Sequence, residues 1–463
     1  MASSTNGAAS RDPRTRIVVI GGGIGGLAAT RRLDRLFRGN RDVEVVLISR
    51  DNFFLMSPML FEACSGVLEL RHCAQPIRPC LHHARFIEAT VESVDVDRNI
   101  VRVVAAEGNV HELRYDHVVV ALGGATNQSI IPGSEHARTF KTVADALILR
   151  NHLIERFERA DVETNPRRRS QLLSIVVIGG GLVGVELIGE LTAFADDILR
   201  YYPRIRREEM QFHLFEVGAR LLPESTLPLA EYAMQTLVRR GAVVHTSTPV
   251  QRIEPGAVRW RDGVVEADTI VLAAGIVPNP VAAAMRVEHD KRGRIVTEGS
   301  MRSVSHENVW AFGDCAATPD PEGKPYPALA QHAIREARVV ARNVHNVMHY
   351  RAPKPFVYRS LGTMAAFGHT RAAADVRGLF VTGFLAWWMR RTYYLFQMPR
   401  WDTRLRIALD WTIALFFRPD LTKVDLDEEY VQERRNCPAG ATPGVSAGAE
   451  SVSSSRPTVG GRA

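Results

Sequence analysis

What this 463-residue chain lacks narrows its class before any motif is considered. It holds only five cysteines, an odd number, in neither Cys-x-x-Cys nor Cys-x4-Cys spacing. A chain of this length needs no disulfide staples, so the thiols are expected to be free in a reducing cytosol. The opening MASSTNGAASRDPRT has no apolar core of the kind a secretory signal carries, and export is not expected. No stretch is apolar and long enough to serve as a transmembrane helix. The net charge of +7 is scattered, with no basic run interleaved with aromatics except near the C-terminus, so nucleic-acid binding is not expected. The stretch 437–463, CPAGATPGVSAGAESVSSSRPTVGGRA, is too poor in large apolar residues to order itself and is expected to be disordered.

What the chain has is a core-forming composition, 46% hydrophobic, and room for roughly three domains at about 150 residues each. It also has a repeat. IVVIGGG occurs at Ile17–Gly23 and, letter for letter, at Ile175–Gly181. In each copy a β-branched run, the mark of a buried parallel strand, leads into Gly-x-Gly-x-x-Gly and then a helical pattern. The glycines are Gly21, Gly23 and Gly26 in the first copy, and Gly179, Gly181 and Gly184 in the second. Glycine is needed there because the turn is tight, the backbone must approach a pyrophosphate, and the helix must pack near the strand. The helix N-terminus then offers free N–H groups and the positive end of its dipole to the phosphates.

The end of the following strand should carry an acid that accepts ribose hydroxyls. In the second unit QFHLFE supplies Glu216, which would repel a 2′-phosphate and favours NADH over NADPH. In the first unit VEVVLISRD puts Ser49 and Arg50 at that place, with Asp51 two residues late. Ser49 can still hydrogen-bond a ribose. The loop TNPRRRSQ, Thr164–Gln171, marks an expected boundary. The cluster RHCAQPIRPCLHH, 71–83, contains metal-ligand residue types, but its spacing fits no standard pairing, and a surface stretch is the preferred reading, with no metal.

VWAFGDCA, with Gly313 and Asp314, resembles the second fingerprint of flavoproteins, in which the aspartate bonds the FAD ribityl chain. YDHVVVALGGATN, with Gly123, resembles the strand that closes an FAD domain, and DTIVLAAGIVPNP, with Gly275, is its counterpart in the NAD half. The order of these elements is similar to that of flavoprotein oxidoreductases with two dinucleotide sites. RDNFFLMSPMLFEACSG, FKTVADALILRNHLIERFERA, GGGLVGVELIGEL, AQHAIREARVVARNV and LGTMAAFGHTRAAADVRGLFVTGFLAW further resemble the type II NADH dehydrogenases over residues 15–425. That resemblance implies bound FAD, NADH as donor, a membrane quinone as acceptor, and no proton pumping. It also implies a ping-pong order in which NAD leaves before the quinone is reduced.

By the same resemblance Glu186 of the Gly-Val-Glu sequence sits near nicotinamide and flavin. The plainer reading places it in the first helical turn, where an acid complements the dipole by about 0.3 to 1 kcal/mol. Gln331 matches the family glutamine near the flavin and quinone head group, whereas Arg335 stands where the family has a second glutamine. Sulfide:quinone oxidoreductases, other FAD/NAD(P)H reductases and a non-enzymatic NADH-responsive flavoprotein are the alternatives.

From Phe384 to Met398 a helical projection gathers Phe384, Leu385, Trp388, Met389, Leu395 and Phe396 on one side, and Arg390, Arg391, Tyr394 and Gln397 on the other. A second apolar helix, Leu405–Phe417, follows Pro399. Both are expected to lie in a membrane interface, where Arg390, Arg391, Arg400, Arg404, Arg406, Arg418 and Lys423 outnumber Asp402, Asp410 and Asp420 and favour anionic lipid. A homodimer interface is the other use of such helices.

The expected fold is therefore α/β, with two Rossmann-like dinucleotide-binding domains and a C-terminal membrane-associating helical region. FAD is assigned to 15–127 and 293–349, NAD to 128–292, and membrane anchoring to 356–430. The expected location is peripheral, or monotopic, on the cytoplasmic face of a bacterial cell membrane.

Overall fold

In the computed structural model, which describes residues 14–417 and 422–423, each IVVIGGG copy is the middle strand of its own five-stranded parallel sheet. In the first sheet Thr15–Ile20 is flanked by Val43–Ser49 on one side and His117–Val120 on the other. Arg85–Glu88 and Val309–Ala311 form the edges, so a strand from late in the chain completes the first unit. In the second sheet Ser174–Ile178 is flanked by Gln211–Phe215 and Thr269–Leu272, with Ala242–His245 and Arg138–Thr139 outside them. The β-branched runs are buried on both faces: Ile17, Val19, Ile175 and Val177 lie in the core that the helices share, while Val18, Ile20, Val176 and Ile178 pack toward an antiparallel sheet in each unit. Each sheet reverses its strand order beside the IVVIGGG strand, and the crevice at such a switch point is where open α/β sheets hold ligands.

The duplication extends further. Each unit carries an antiparallel three-stranded sheet, Thr90–Asp95 with Ile100–Val104 and Val110–Arg114 in the first, and Val250–Glu254 with Ala257–Trp260 and Gly263–Glu266 in the second. The units are joined by a short antiparallel pair, Gly124–Thr126 with Ile276–Pro278. The α/β architecture with two parallel sheets agrees with expectation.

Three expectations are corrected. Thr164–Gln171 is not a loop at a boundary: Pro166–Leu172 is a helix, started by Asn165, whose side chain accepts from the Arg167 and Arg168 N–H groups, with proline at the first position where no donor is lost. The 71–83 stretch is a surface segment only in part: Arg71, Arg78, His82 and His83 are exposed, whereas Cys73, Gln75, Ile77 and Cys80 are buried. His72 Nδ1 there lies 2.5 Å from Asp410 Oδ2 of the C-terminal helix. Finally, Glu186 is not in the first turn of its helix. That helix runs Leu182–Ile198, and its first turn holds no acid. The dipole effect fades within that turn, so it does not account for this residue. The 437–463 tail, Arg418 and Asp420 lie outside the described residues.

After the two units the chain forms an antiparallel sheet of Gly362–Ala366, Ala372–Val376 and Leu379–Thr382, then the helices Gly383–Gln397 and Trp401–Phe416. Gly362–Ala366 and the turn after it lie against the helix 182–198. A Cβ on Gly189 would stand 2.7 Å from Phe367 Cα, which no side chain could relieve. Gly189→Ala adds about 1 kcal/mol of helix propensity but overpacks the contact by typically about 1 to 3 kcal/mol. We expect a lower thermal midpoint for G189A, read by circular dichroism; an equal or higher midpoint would show that the strand is not pressed on the helix.

Candidate functional site

The glycine turns are built alike. Gly21 and Gly179 have φ of +105° and +117°, a region other residues avoid. A Cβ on Gly26 would lie 1.7 Å from Gly21 O, and one on Gly184 would lie 1.8 Å from Gly179 O, so helix and turn touch only without side chains. At Gly23 and Gly181 an added Cβ would meet no atom within 4 Å: both turns face open space. Each is followed directly by a helix N-terminus, at Ile24 and Leu182. Open space bordered by free backbone N–H groups fits a pyrophosphate.

The residue at the end of the next strand docks on each turn. Glu216 accepts from the Gly180 N–H through Oε2 and from the Gly218 N–H through Oε1, both at 2.6 Å. A carboxylate has further lone pairs, so it can still accept ribose hydroxyls. In the first unit the Ser49 side chain stands beside Gly22, where a Cβ would approach Ser49 Oγ to 2.4 Å. Arg50 contacts Asp51 Oδ2 at 3.2 Å. Of the residues at the end of that strand, Ser49 is the one whose side chain stands against the turn.

Gly123 and Gly275, both at positive φ, end the strands beside each turn; Gly123 O accepts from Asn279 N, and Gly275 O from Asn127 N, so each unit clasps the other's loop. Asp314 lies in the turn Gly313–Cys315, and its Cβ would be 3.5 Å from a Cβ on Gly124. Two residues not singled out from the sequence complete this corner. The Lys141 Nζ donates to Gly124 O, and burial lowers its pKa against the pull of Asp314 and Asp145. Glu336 accepts from the Gly313 N–H at 2.9 Å, and burial pushes it up to about 7.

The structure places Glu186 and Gln331 at opposite ends of one strand. Glu186 Oε1 accepts from the Ala366 N–H at 2.9 Å, and Gln331 Nε2 donates to Gly362 O at 3.2 Å. At about 3.3 Å per residue those ends are roughly 13 Å apart. Tyr358 donates to Gln331 Oε1, while Arg335 donates to Gln331 O and lies 4.5 Å over the Tyr358 ring. Arg335 therefore braces the loop that carries Tyr358.

Around Glu186 lies a cluster that the sequence pattern did not reveal. Arg390 Nε is 3.0 Å from Glu186 Oε1, and its Nη1 is 3.4 Å from Glu62 Oε1. Arg391 Nη2 is 3.1 Å from Glu62 Oε2, to which Trp411 Nε1 also donates at 2.7 Å. Glu190, one turn past Glu186, accepts from Ser65 Oγ at 2.6 Å. All these charged groups are buried, Arg390 at 2% exposure and Arg391 at 7%. The expectation that Arg390 and Arg391 face lipid is corrected: they point inward because Glu62 and Glu186 supply counter-charges there, and Arg391 is sandwiched by Trp387 and Trp411. The outward stripe is the apolar one, with Phe384, Leu385, Trp388 and Phe396 exposed and Leu405, Leu409 and Ile413 exposed on the next helix. The only sequence signal for this was the adjacency of Arg390 and Arg391 within an otherwise apolar helix.

Three carboxylates share two guanidiniums, and the one without a directly bound arginine is Glu190. Burial first, and then Glu62, push its pKa up to about 7, against an ordinary 4.5. The raised folded-state value means that Glu190 stabilises the fold fully below about pH 4.5 and loses that contribution as pH rises through about 7. Glu190→Gln should therefore leave the thermal midpoint near pH 5 almost unchanged and raise it relative to wild type at pH 8. A difference that is the same at both pH values would rule out a proton on Glu190.

Cys64, Cys73, Cys80 and Cys315 are free and buried, and burial pushes Cys64, Cys73 and Cys315 up to about 12. Among the described residues no group of three or more His, Cys, Asp or Glu is arranged to hold a metal ion.

The chain is similar to a probable NADH dehydrogenase of Dictyostelium discoideum, with 29% identity over 88% of this chain and 91% of that protein. It is 28% identical to a type II NADH:quinone oxidoreductase of Mycobacterium tuberculosis, over 87% of this chain and 88% of that one. Among solved structures it shares its fold with NDH2 from Plasmodium falciparum in complex with NADH, at a TM-score of 0.81 and 18% identity, over 89% of this chain and 100% of that one. Residues 15–337 match the pyridine nucleotide-disulphide oxidoreductase family. The chain belongs to that family.

Proposed function

We propose that this protein is a type II NADH:quinone oxidoreductase that works without pumping protons. The observation that carries the reading is the pair of matching glycine cradles joined to a C-terminal strand that grips Glu186 at one end and Gln331 at the other. FAD is assigned to residues 15–127 and 293–349, with Gly21, Gly23, Gly26, Ser49, Gly123, Gly313 and Asp314 around it. NADH is assigned to 128–292, with Gly179, Gly181, Gly184, Glu216 and Gly275. FAD, when bound, takes hydride from NADH and passes two electrons to the quinone.

The chain's own part is placement and charge. Backbone N–H groups at Ile24 and Leu182 hold phosphates, and Glu216 reads the ribose while excluding a 2′-phosphate. Glu186 is a carboxylate whose pKa burial raises, with Arg390 working against it. Gln331, fixed by Ser360, Gly362 and Tyr358, presents an amide to the quinone side. A cysteine-based reductase, including a sulfide:quinone enzyme, would need an accessible thiol pair, whereas the described cysteines are buried singly.

No helix of the described residues is long and apolar enough to cross a membrane. The exposed apolar stripes of 383–397 and 401–416 instead suit a helix pair lying in the lipid interface, within the assigned anchoring region 356–430, on the cytoplasmic face of a bacterial membrane. The same stripes would serve a homodimer.

The purified protein is expected to be yellow, to bleach on NADH under anaerobic conditions, and to recover rapidly on adding a quinone. A colourless chain, or reduced flavin that ignores quinones, overturns the reading. Glu216→Ala is expected to raise KM for NADH and to narrow the preference over NADPH by about tenfold or more, equivalent to about 1.4 kcal/mol. Unchanged selectivity in steady-state kinetics would mean that another residue reads the ribose.

A further inference from the structure

Far from the glycine cradles, a cavity of about 600 Å³ opens where the helix Leu227–Arg239 ends beside the helix 182–198 and the turn 367–371. Arg207, Arg239, Arg240, Arg371 and His369 line it, with Asp196 and Glu208 as its only acids. The acids do not balance the arginines. Asp196 is shared, accepting from Arg207 Nε at 2.7 Å and meeting Arg240 Nη2 at 3.4 Å. The Arg371 guanidinium has no hydrogen bond or ion pair among the described residues, and the Arg239 side chain bonds only the Gln235 carbonyl.

The third arginine is the telling one. The Arg240 side chain is only 8% exposed, yet its Nε–H is buried with no acceptor. Burial, and then the charges of Arg371 and Arg207, lower its pKa while Asp196 and Glu190 oppose the change, so the guanidiniums are close enough to repel. Convergent like charges and an unanswered buried donor are costly unless an anion joins them. Guanidinium forks match the oxygens of phosphate in particular. Arg240 also donates to Phe367 O, next to Ala366 whose N–H holds Glu186, so the cavity abuts the strand that serves the redox site.

We propose that this cavity is a second anion site, distinct from both glycine cradles, which binds a phosphate-class oxyanion through Arg207, Arg239, Arg240 and Arg371. The phosphate could belong to a soluble ester or to a lipid headgroup, and the test separates them. FAD-loaded protein, saturated with NAD+ to fill the cradles, is titrated with inorganic pyrophosphate by calorimetry at constant ionic strength. It is also mixed with vesicles containing phosphatidic acid in a neutral-lipid background. The variant R239Q/R371Q changes two exposed side chains and should fold; R286Q, at an exposed arginine paired with Asp97 in the first unit, reads the effect of a positive charge lost elsewhere. Pyrophosphate affinity at least tenfold weaker in R239Q/R371Q, with R286Q unchanged, supports a soluble ligand. Loss of vesicle binding alone in the same variant supports a lipid phosphate. Equal binding by wild type and R239Q/R371Q in both assays, or an equal loss in R286Q, overturns the site.

Discussion

Two arginines and three glutamates share a pocket of the protein from which water is excluded, and much of the molecule's arrangement follows from that confinement. A charge moved from water into such surroundings is expensive unless it is paired and hydrogen-bonded, and removing one partner of a buried pair costs about 3 to 5 kcal/mol. Glu62 comes from the first nucleotide unit, Glu186 and Glu190 from the second, and Arg390 and Arg391 from the C-terminal helix. None of the three parts can move off alone without leaving a charge unanswered. The cluster therefore fixes the C-terminal helices against both units, and with them the strand between Glu186 and Gln331.

This arrangement also decides what the C-terminal helices show to their surroundings. With the arginines drawn inward, the outer faces are left to Phe384, Leu385, Trp388, Phe396, Leu405, Leu409 and Ile413. An apolar stripe of this extent is unusual on a surface meant only for water. The setting of Glu186 and the character of the surface are thus decided by the same ion pairs: a helix turned by half a rotation would expose two arginines and leave Glu62 and Glu186 without counter-charges.

The nucleotide halves were largely legible from the chain. The repeated heptapeptide, the glycine spacing and Glu216 gave two parallel sheets, two open cradles and the docked carboxylate, because each depends on residues within one βαβ unit and on backbone conformations that only glycine adopts readily. Residues acting across long sequence separations were not legible. Glu336 closing on Gly313, Lys141 reaching Gly124 O, and Arg335 bracing Tyr358 carry no periodic signature, since each pairing depends on a loop path. The short helix Pro166–Leu172 was hidden by its arginines, which read as loop until the Asn165 cap is seen to start it.

By itself the sequence determined the pair of dinucleotide folds, the identity of the turns, and the presence of two amphipathic helices near the C-terminus. Only the tertiary structure decided which side of those helices faces inward. Periodicity tells which residues share a stripe, not what lies opposite it. The opposing charge, Glu62, stands 328 residues away from Arg390. That pairing exists only once both units have folded and removed the water that would otherwise have satisfied each charge separately.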